Sequence, residues 1–265
     1  MKSVLVALLL YVAFCLALFA LQRKFLYFPQ PAGGMIGAAA IHFDTDGEQL
    51  NGWVVNGGQP KALLYYGGNA ERIEENIPFF EAVLPDYTVY LISYRGYGNS
   101  TGEPTEEHLY SDALHIFEQI KARHRRISLM GRSLGSGVAT YVAANRKVEK
   151  LILVTPFDSI ENVAKTVYWM LPVSLLIKDK FQSLHRVKNI TAKTYIFIAE
   201  NDRVIPRAST ERLIAQFTDQ LMAVTVIARA DHNDISLYPE YIAGLRRALD
   251  LSTIRNNDQG RFGDL

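Results

Sequence analysis

The sequence predicts an α/β fold, a mostly parallel eight-stranded sheet with helices on both faces, preceded by one transmembrane helix. Three observations predict it. Short runs rich in β-branched and aromatic residues alternate with amphipathic helical stretches, the pattern of repeated strand–helix–strand units. Glycine-rich turns stand between many of these runs and the next helical stretch. Residues 4–21 carry no charged side chain, and as a helix this run extends roughly 27 Å, close to the thickness of a bilayer core of about 30 Å.

The apolar N-terminal run is followed by Arg23 and Lys24 beside Phe25, Tyr27 and Phe28, the composition of a membrane interface. A cleaved signal peptide is the alternative, with Leu18, Phe19 and Ala20 as its cleavage site, although Leu18 is larger than the residue usually found there. Residues 1–28 therefore read as an anchor and 29–40, rich in Pro and Gly, as a linker. A folded domain spans 41–250, with a cap inserted at about 157–190, and the polar residues 251–265 read as a flexible tail. The charge pattern of Lys2 against Arg23 and Lys24 leaves the side of the membrane undecided.

Strand-like runs lie at 41–45, 50–55, 62–66, 88–93, 127–130, 151–155, 194–199 and 223–228. Asp46, Gly47 and Glu48 join the first two as an antiparallel hairpin. Helical stretches at 70–84, 105–124, 134–144, 207–218 and 236–249 separate most of the later runs, which implies right-handed crossovers and a buried parallel sheet.

Charge and cysteine content exclude some functions. The 265 residues hold 28 Lys plus Arg against 27 Asp plus Glu, which lacks the concentrated positive surface of a nucleic-acid binder. Lys121, Arg123, Arg125 and Arg126 read as a solvated helix end. Cys15 is the only cysteine, so no intrachain disulfide or thiolate metal cluster forms.

Gly131, Arg132, Ser133, Leu134 and Gly135 follow an apolar strand and open a helix of small residues. A strand-to-helix turn this tight leaves no room for side chains beside the serine and pushes its hydroxyl outward, where the helix N-terminus favours negative charge. A serine needs a base to accept its proton. Of the six histidines only His232 follows the last strand; the other five read as surface or packing residues. Asp202, after the seventh strand, is the candidate to orient His232, with Asp158 and Glu200 as rivals; Asp231 and Asp234 read as caps of the next helix. The developing oxyanion needs two donors, read as the backbone N–H of Leu134 and that of Asn69, with Ala70 the alternative in the loop Gly67, Gly68, Asn69, Ala70. Arg95 reads as a structural ion-pair residue. Residues 167–177, among them Tyr168, Trp169, Met170 and Leu175, read as an acyl-pocket wall, a lipid contact or plain packing.

These residues resemble a known group. Leu26, Tyr27, Phe28 and Pro29, then Gly68 to Ala70, Tyr94 to Ser100, Gly131 to Gly137, Thr155 to Ser159, and Asp202 with Val204 and Pro206 together are similar to the membrane-anchored α/β hydrolases, the BEM46-like proteins and the depalmitoylase-related ABHD family. The resemblance implies the α/β-hydrolase fold and hydrolysis of a carboxylic ester or thioester in a small or lipid-like acyl substrate, with no metal or organic cofactor. Gly67 stands where many relatives carry a histidine, and the cysteine cluster of the palmitoylated relatives is missing. Two other readings stay open: an anchored scaffold of the same fold without turnover, and a serine peptidase of the prolyl-oligopeptidase type.

Overall fold

A computed structural model describes residues 2–33 and 37–251 of the chain. The tail expected over 252–265 lies outside the described residues. An N-terminal helix, α1 (Lys2–Leu26), has a mean hydropathy of 3.0 over its most apolar window and is long and apolar enough to cross a bilayer.

Eight strands form one sheet: β1 (Ala39–Thr45), β2 (Glu48–Val55), β3 (Lys61–Tyr66), β4 (Tyr87–Ile92), β5 (Arg126–Arg132), β6 (Lys150–Val154), β7 (Lys193–Ala199) and β8 (Leu221–Ile227). Their order is β1-β2-β4-β3-β5-β6-β7-β8. β1 pairs antiparallel with β2 through the two-residue turn Asp46 and Gly47, at φ 50° and 78°; two positive φ values match the twist of a hairpin. β2 is also antiparallel to β4, and every later pairing is parallel.

Side-chain alternation along the central strands builds two apolar layers. Leu64, Leu129 and Leu153 face one layer with Phe117, Val138 and Leu213, which lie on α3 (Glu106–Lys121), α4 (Leu134–Asn145) and α7 (Arg207–Ile214). Their neighbours Leu63, Met130 and Ile152 face the other with Phe80 and Leu245, from α2 (Ile77–Val83) and α8 (Pro239–Ala248). Both faces of the sheet are thus covered, as a parallel sheet requires. Between β6 and β7 the chain forms the short helices α5 (Ile160–Val167) and α6 (Val173–Leu176), the cap.

Helix starts and ends differ from the sequence expectation. Over 70–84 a 3₁₀ turn, Ile73–Asn76, precedes α2, and over 236–249 another, Ile235–Leu237, precedes α8. In both cases a proline, Pro78 or Pro239, occupies the first helical turn, where its missing N–H costs nothing and where an α-helix can begin. α7 stops at Ile214 because the chain tightens: Gln216 N–H donates to Leu213 O and Phe217 N–H to Ile214 O. Ser93, Thr155 and Ala228 fall just outside their strands, Thr155 with φ 46°.

The start of the linker is fastened to the body. Gly98 N–H donates to Gln30 O at 2.8 Å, and Pro31 forms a parallel bridge with Gly98. Arg95, buried at 4% exposure, bonds both oxygens of Asp112 at 2.8 Å and reaches Asp46 at 3.3 Å, the structural ion pair expected of it.

Candidate active site

The strand order places β4 and β5 on either side of β3, so the turns after β3 and β5 leave the sheet side by side and diverge. Such a switch point opens a crevice at the carboxyl ends of the strands. Ser133 stands there, between β5 and α4, at φ 49° and ψ −119°. A non-glycine residue in that region is strained and is held by its surroundings. Ser133 N–H donates to Val154 O at 2.9 Å, and Ser136 N–H donates to Ser133 O at 2.8 Å.

Two glycines make this turn sterically possible. A Cβ on Gly135 would lie 2.0 Å from Tyr66 O, and one on Gly131 would lie 2.3 Å from Gly135 O. The first turn of α4 therefore packs backbone to backbone against the loop after β3, and Gly68 of that loop comes close enough that a Cβ there would sit 3.7 Å from Ser133 Cβ.

The loops after β7 and β8 are fastened to one another. Asn201 N–H donates to Ala230 O at 2.9 Å, and its side chain donates to Arg229 O at 3.1 Å. This pairing brings Asp202 and His232 together. His232, 5% exposed, has Nδ1 2.8 Å from Asp202 Oδ2 and Nε2 2.9 Å from Ser133 Oγ. An ionised carboxylate only accepts, so Nδ1 carries the proton and Nε2 is left to accept from the Ser133 hydroxyl. The other oxygen of Asp202 accepts from the N–H groups of Val204 at 2.9 Å and Ile205 at 2.8 Å, which fixes the carboxylate.

The rival carboxylates are engaged elsewhere. Glu200 accepts from Arg229 N–H at 2.7 Å. Asp158, fully buried, accepts from Arg212 Nε at 2.7 Å, Asn162 Nδ2 at 2.9 Å and Ser209 Oγ, and from Ser159 N–H at 2.7 Å. Asp231 and Asp234 depart from the capping role expected of them. Asp231 accepts from His232 N–H and Asp234 from Asp231 N–H, both at 2.7 Å, so they close the turn that presents the imidazole.

Burial pushes the Asp158 carboxyl up, but Arg212, Ser209, Asn162 and the Ser159 N–H outweigh it and hold the group below its usual range. A depressed carboxylate contributes stability that is fully present above its unfolded value, about 4, and is lost as pH falls through the lower folded value. Asp158→Asn is expected to cost about 1.5 to 3 kcal/mol at neutral pH. Thermal melts between pH 7 and pH 3 should show that this deficit shrinks as the medium becomes acidic.

The loop 67–70 is braced from several directions. Tyr94 Oη donates to Gly67 O at 2.9 Å, and Glu71 Oε2 accepts from Gly68 N–H. Asn69 turns its side chain toward the chain leaving α1: Nδ2 donates to Leu26 O at 2.6 Å, while Oδ1 accepts from Tyr97 Oη at 2.6 Å and Phe28 N–H at 3.1 Å. Oδ1 also accepts from Ala70 N–H at 3.1 Å, which occupies the alternative donor of this loop.

Sequence reasoning missed Arg132 and Glu71. Arg132 Nη1 donates to Glu71 Oε2 at 2.9 Å, and Nη2 donates to His232 O at 3.2 Å and Asn233 Oδ1 at 3.0 Å. Glu71 Oε1 accepts from Tyr65 Oη and Asn76 Nδ2, each at 2.7 Å. The pair thus links the β3 loop to the histidine loop beneath the serine. The only sequence signal was a basic residue in the variable position before Ser133. Among the described residues no group of three or more His, Cys, Asp or Glu could hold a metal ion.

Residues 61–182 match the family model of the alpha/beta hydrolase fold. An uncharacterized protein of Mycobacterium tuberculosis is 31% identical over 241 residues, which cover 84% of this chain and 83% of that one. Protein bem46 of Schizosaccharomyces pombe is 28% identical over 207 residues, 72% of this chain and 69% of its own. The lysophosphatidylserine lipase ABHD12 of Xenopus tropicalis is 32% identical over 192 residues, 63% of this chain and 50% of its own. In three dimensions the Pyrococcus furiosus esterase Pf2001 superposes with a TM-score of 0.66 at 17% identity, covering 84% of this chain and 95% of the esterase, a likeness of fold. By sequence and sheet topology the chain belongs to the α/β-hydrolase family, with a BEM46-like protein among its relatives.

Proposed function

We propose that the protein is a serine hydrolase that cleaves carboxylic ester or thioester bonds of lipid-like acyl substrates through an acyl-enzyme. The carrying observation is the unbroken line of two hydrogen bonds from Asp202 through His232 to a serine held in a strained strand-to-helix turn. In this reading Ser133 Oγ attacks the acyl carbonyl carbon while His232 Nε2 takes its proton. The negative oxygen of the tetrahedral intermediate accepts from the N–H groups of Leu134 and Asn69, helped by the positive end of α4. Collapse breaks the bond to the leaving alcohol or thiol, which receives the proton from His232. Water, deprotonated by the same nitrogen, then attacks the acyl carbon; the bond to Ser133 Oγ breaks, His232 returns the proton to that oxygen, and the carboxylic acid leaves.

The engagement of Ala70 N–H by its neighbour's side chain favours Asn69 over Ala70 as the second donor. A lipase among the relatives supports an acyl substrate of lipid type. A fluorophosphonate probe, which phosphonylates activated serines, should label the full-length protein in detergent, and Ser133→Ala should remove the label. Persistent labelling of Ser133→Ala would put the nucleophile elsewhere, and no labelling of the native chain would favour the scaffold reading.

A further inference from the structure

The cap packs on the body at its two ends, through Ile160, Val163 and Phe181, and between them residues 170–179 run along α1. Arg23 Nε bonds Asp179 at 3.0 Å, Gln22 Nε2 donates to Leu176 O at 2.8 Å, and Tyr11 Oη donates to Met170 O at 3.0 Å. Tyr11 precedes Arg23 by twelve residues, so these contacts follow the helix for roughly 18 Å, from its charged end to the middle of its apolar run. The less exposed residues of α1, namely Cys15, Leu18, Gln22 and Leu26, recur with Tyr11 at spacings of four and three on one face. The cap lies against that face.

Composition and bonding both suit this part of the cap to hydrocarbon. Residues 167–177 contain no charged side chain and are flanked by Lys165 and Lys178. Five large apolar residues point outward: Val167, Tyr168, Trp169, Met170 and Leu175, with Trp169 78% and Leu175 81% exposed. Irregular backbone is tolerated at membrane depth only where its polar groups find partners within the protein. Tyr11, within the apolar run of α1, and Gln22, just after it, supply them to the carbonyls of Met170 and Leu176, and Gln22 Oε1 accepts from Lys178 N–H at 2.7 Å. The Lys178 ammonium lies over the Phe19 ring at 4.1 Å, one helical turn before Arg23.

We propose that residues 167–177 dip into the same bilayer as α1, as a second membrane contact whose outward side chains are covered by lipid acyl chains. The inference rests on α1 lying in the bilayer and is independent of the hydrolase reading. The chain has two tryptophans, Trp53 and Trp169. Full-length Trp53→Phe protein, reconstituted in phosphatidylcholine vesicles, leaves Trp169 as the reporter. A control with Trp53→Phe, Trp169→Phe and Phe19→Trp carries its reporter in α1. The expected result is blue-shifted Trp169 emission and a fractional loss in chain-brominated lipid comparable to that of the α1 reporter. Water-like, unquenched Trp169 emission beside a quenched α1 reporter would overturn the proposal. Blue-shifted but unquenched emission would also overturn it, since a protein surface rather than lipid would then cover the patch. An unquenched α1 reporter would remove its foundation.

Discussion

Replacement of His232 by alanine is expected to lower kcat/KM for an acyl ester by on the order of 10⁵- to 10⁶-fold. The imidazole is the only group within hydrogen-bond reach of the Ser133 hydroxyl among the side-chain contacts described, so without it the proton has no acceptor. Asp202→Asn should cost less, about 10⁴-fold, because its loss releases the tautomer while leaving the base in place. Asp158→Asn, whose partners Ser159, Asn162, Ser209 and Arg212 include neither His232 nor Ser133, should lower stability with turnover nearly intact. Steady-state rates of the three variants on one ester order the carboxylates. Equal losses from Asp202→Asn and Asp158→Asn would contradict the assignment.

The largest stability effect is expected at Gly135. Its Cβ would meet Tyr66 C at 2.5 Å and Gly67 O at 2.6 Å as well as Tyr66 O, all backbone atoms that no rotamer change can move. Gly135→Ala must therefore part α4 from the β3 loop, at about 3 kcal/mol or more, and lower the melting midpoint by roughly 6 to 12 °C. Gly57→Ala is the control: its Cβ would meet only the Val54 side chain, at an ordinary 3.7 Å, and its effect should stay within about 0.5 kcal/mol. Activity should fall with stability in Gly135→Ala, since the displaced loop is the one beside Ser133. Calorimetry and ester turnover on both variants check the pair.

The sheet was legible because central strands of this kind are apolar on both faces and appear as uninterrupted runs, as in Leu151 to Val154, all fully buried. Convergence of Ser133, Asp202 and His232 was legible for a different reason. Chain order along a parallel sheet dictates which loops share an edge, so residues 99 apart could be placed together without a contact map. Helix starts were harder to place, since Pro78 and Pro239 look like breakers until one knows which turn they occupy. The Arg132 and Glu71 link was hidden, because two ordinary charged residues 61 positions apart carry no local signature of their pairing. The course of the cap along α1 was equally hidden, since Tyr11 and Met170 are 159 positions apart and each fits its own apolar stretch without the other.

Asn69 gives the N-terminal helix a bearing on the crevice that an inert mooring would not have. Its carboxamide clasps the main chain on both sides of Tyr27, at Leu26 O and Phe28 N–H, while its own backbone lies in the loop next to the nucleophile. A trimmed version starting past Phe28 would leave that amide bonded only to Tyr97 and its own neighbour, and the Asn69 end of the loop would lose one of its braces. Biochemistry done on such a shortened form would then report on a loosened crevice, and the place to cut the polypeptide is upstream of Leu26.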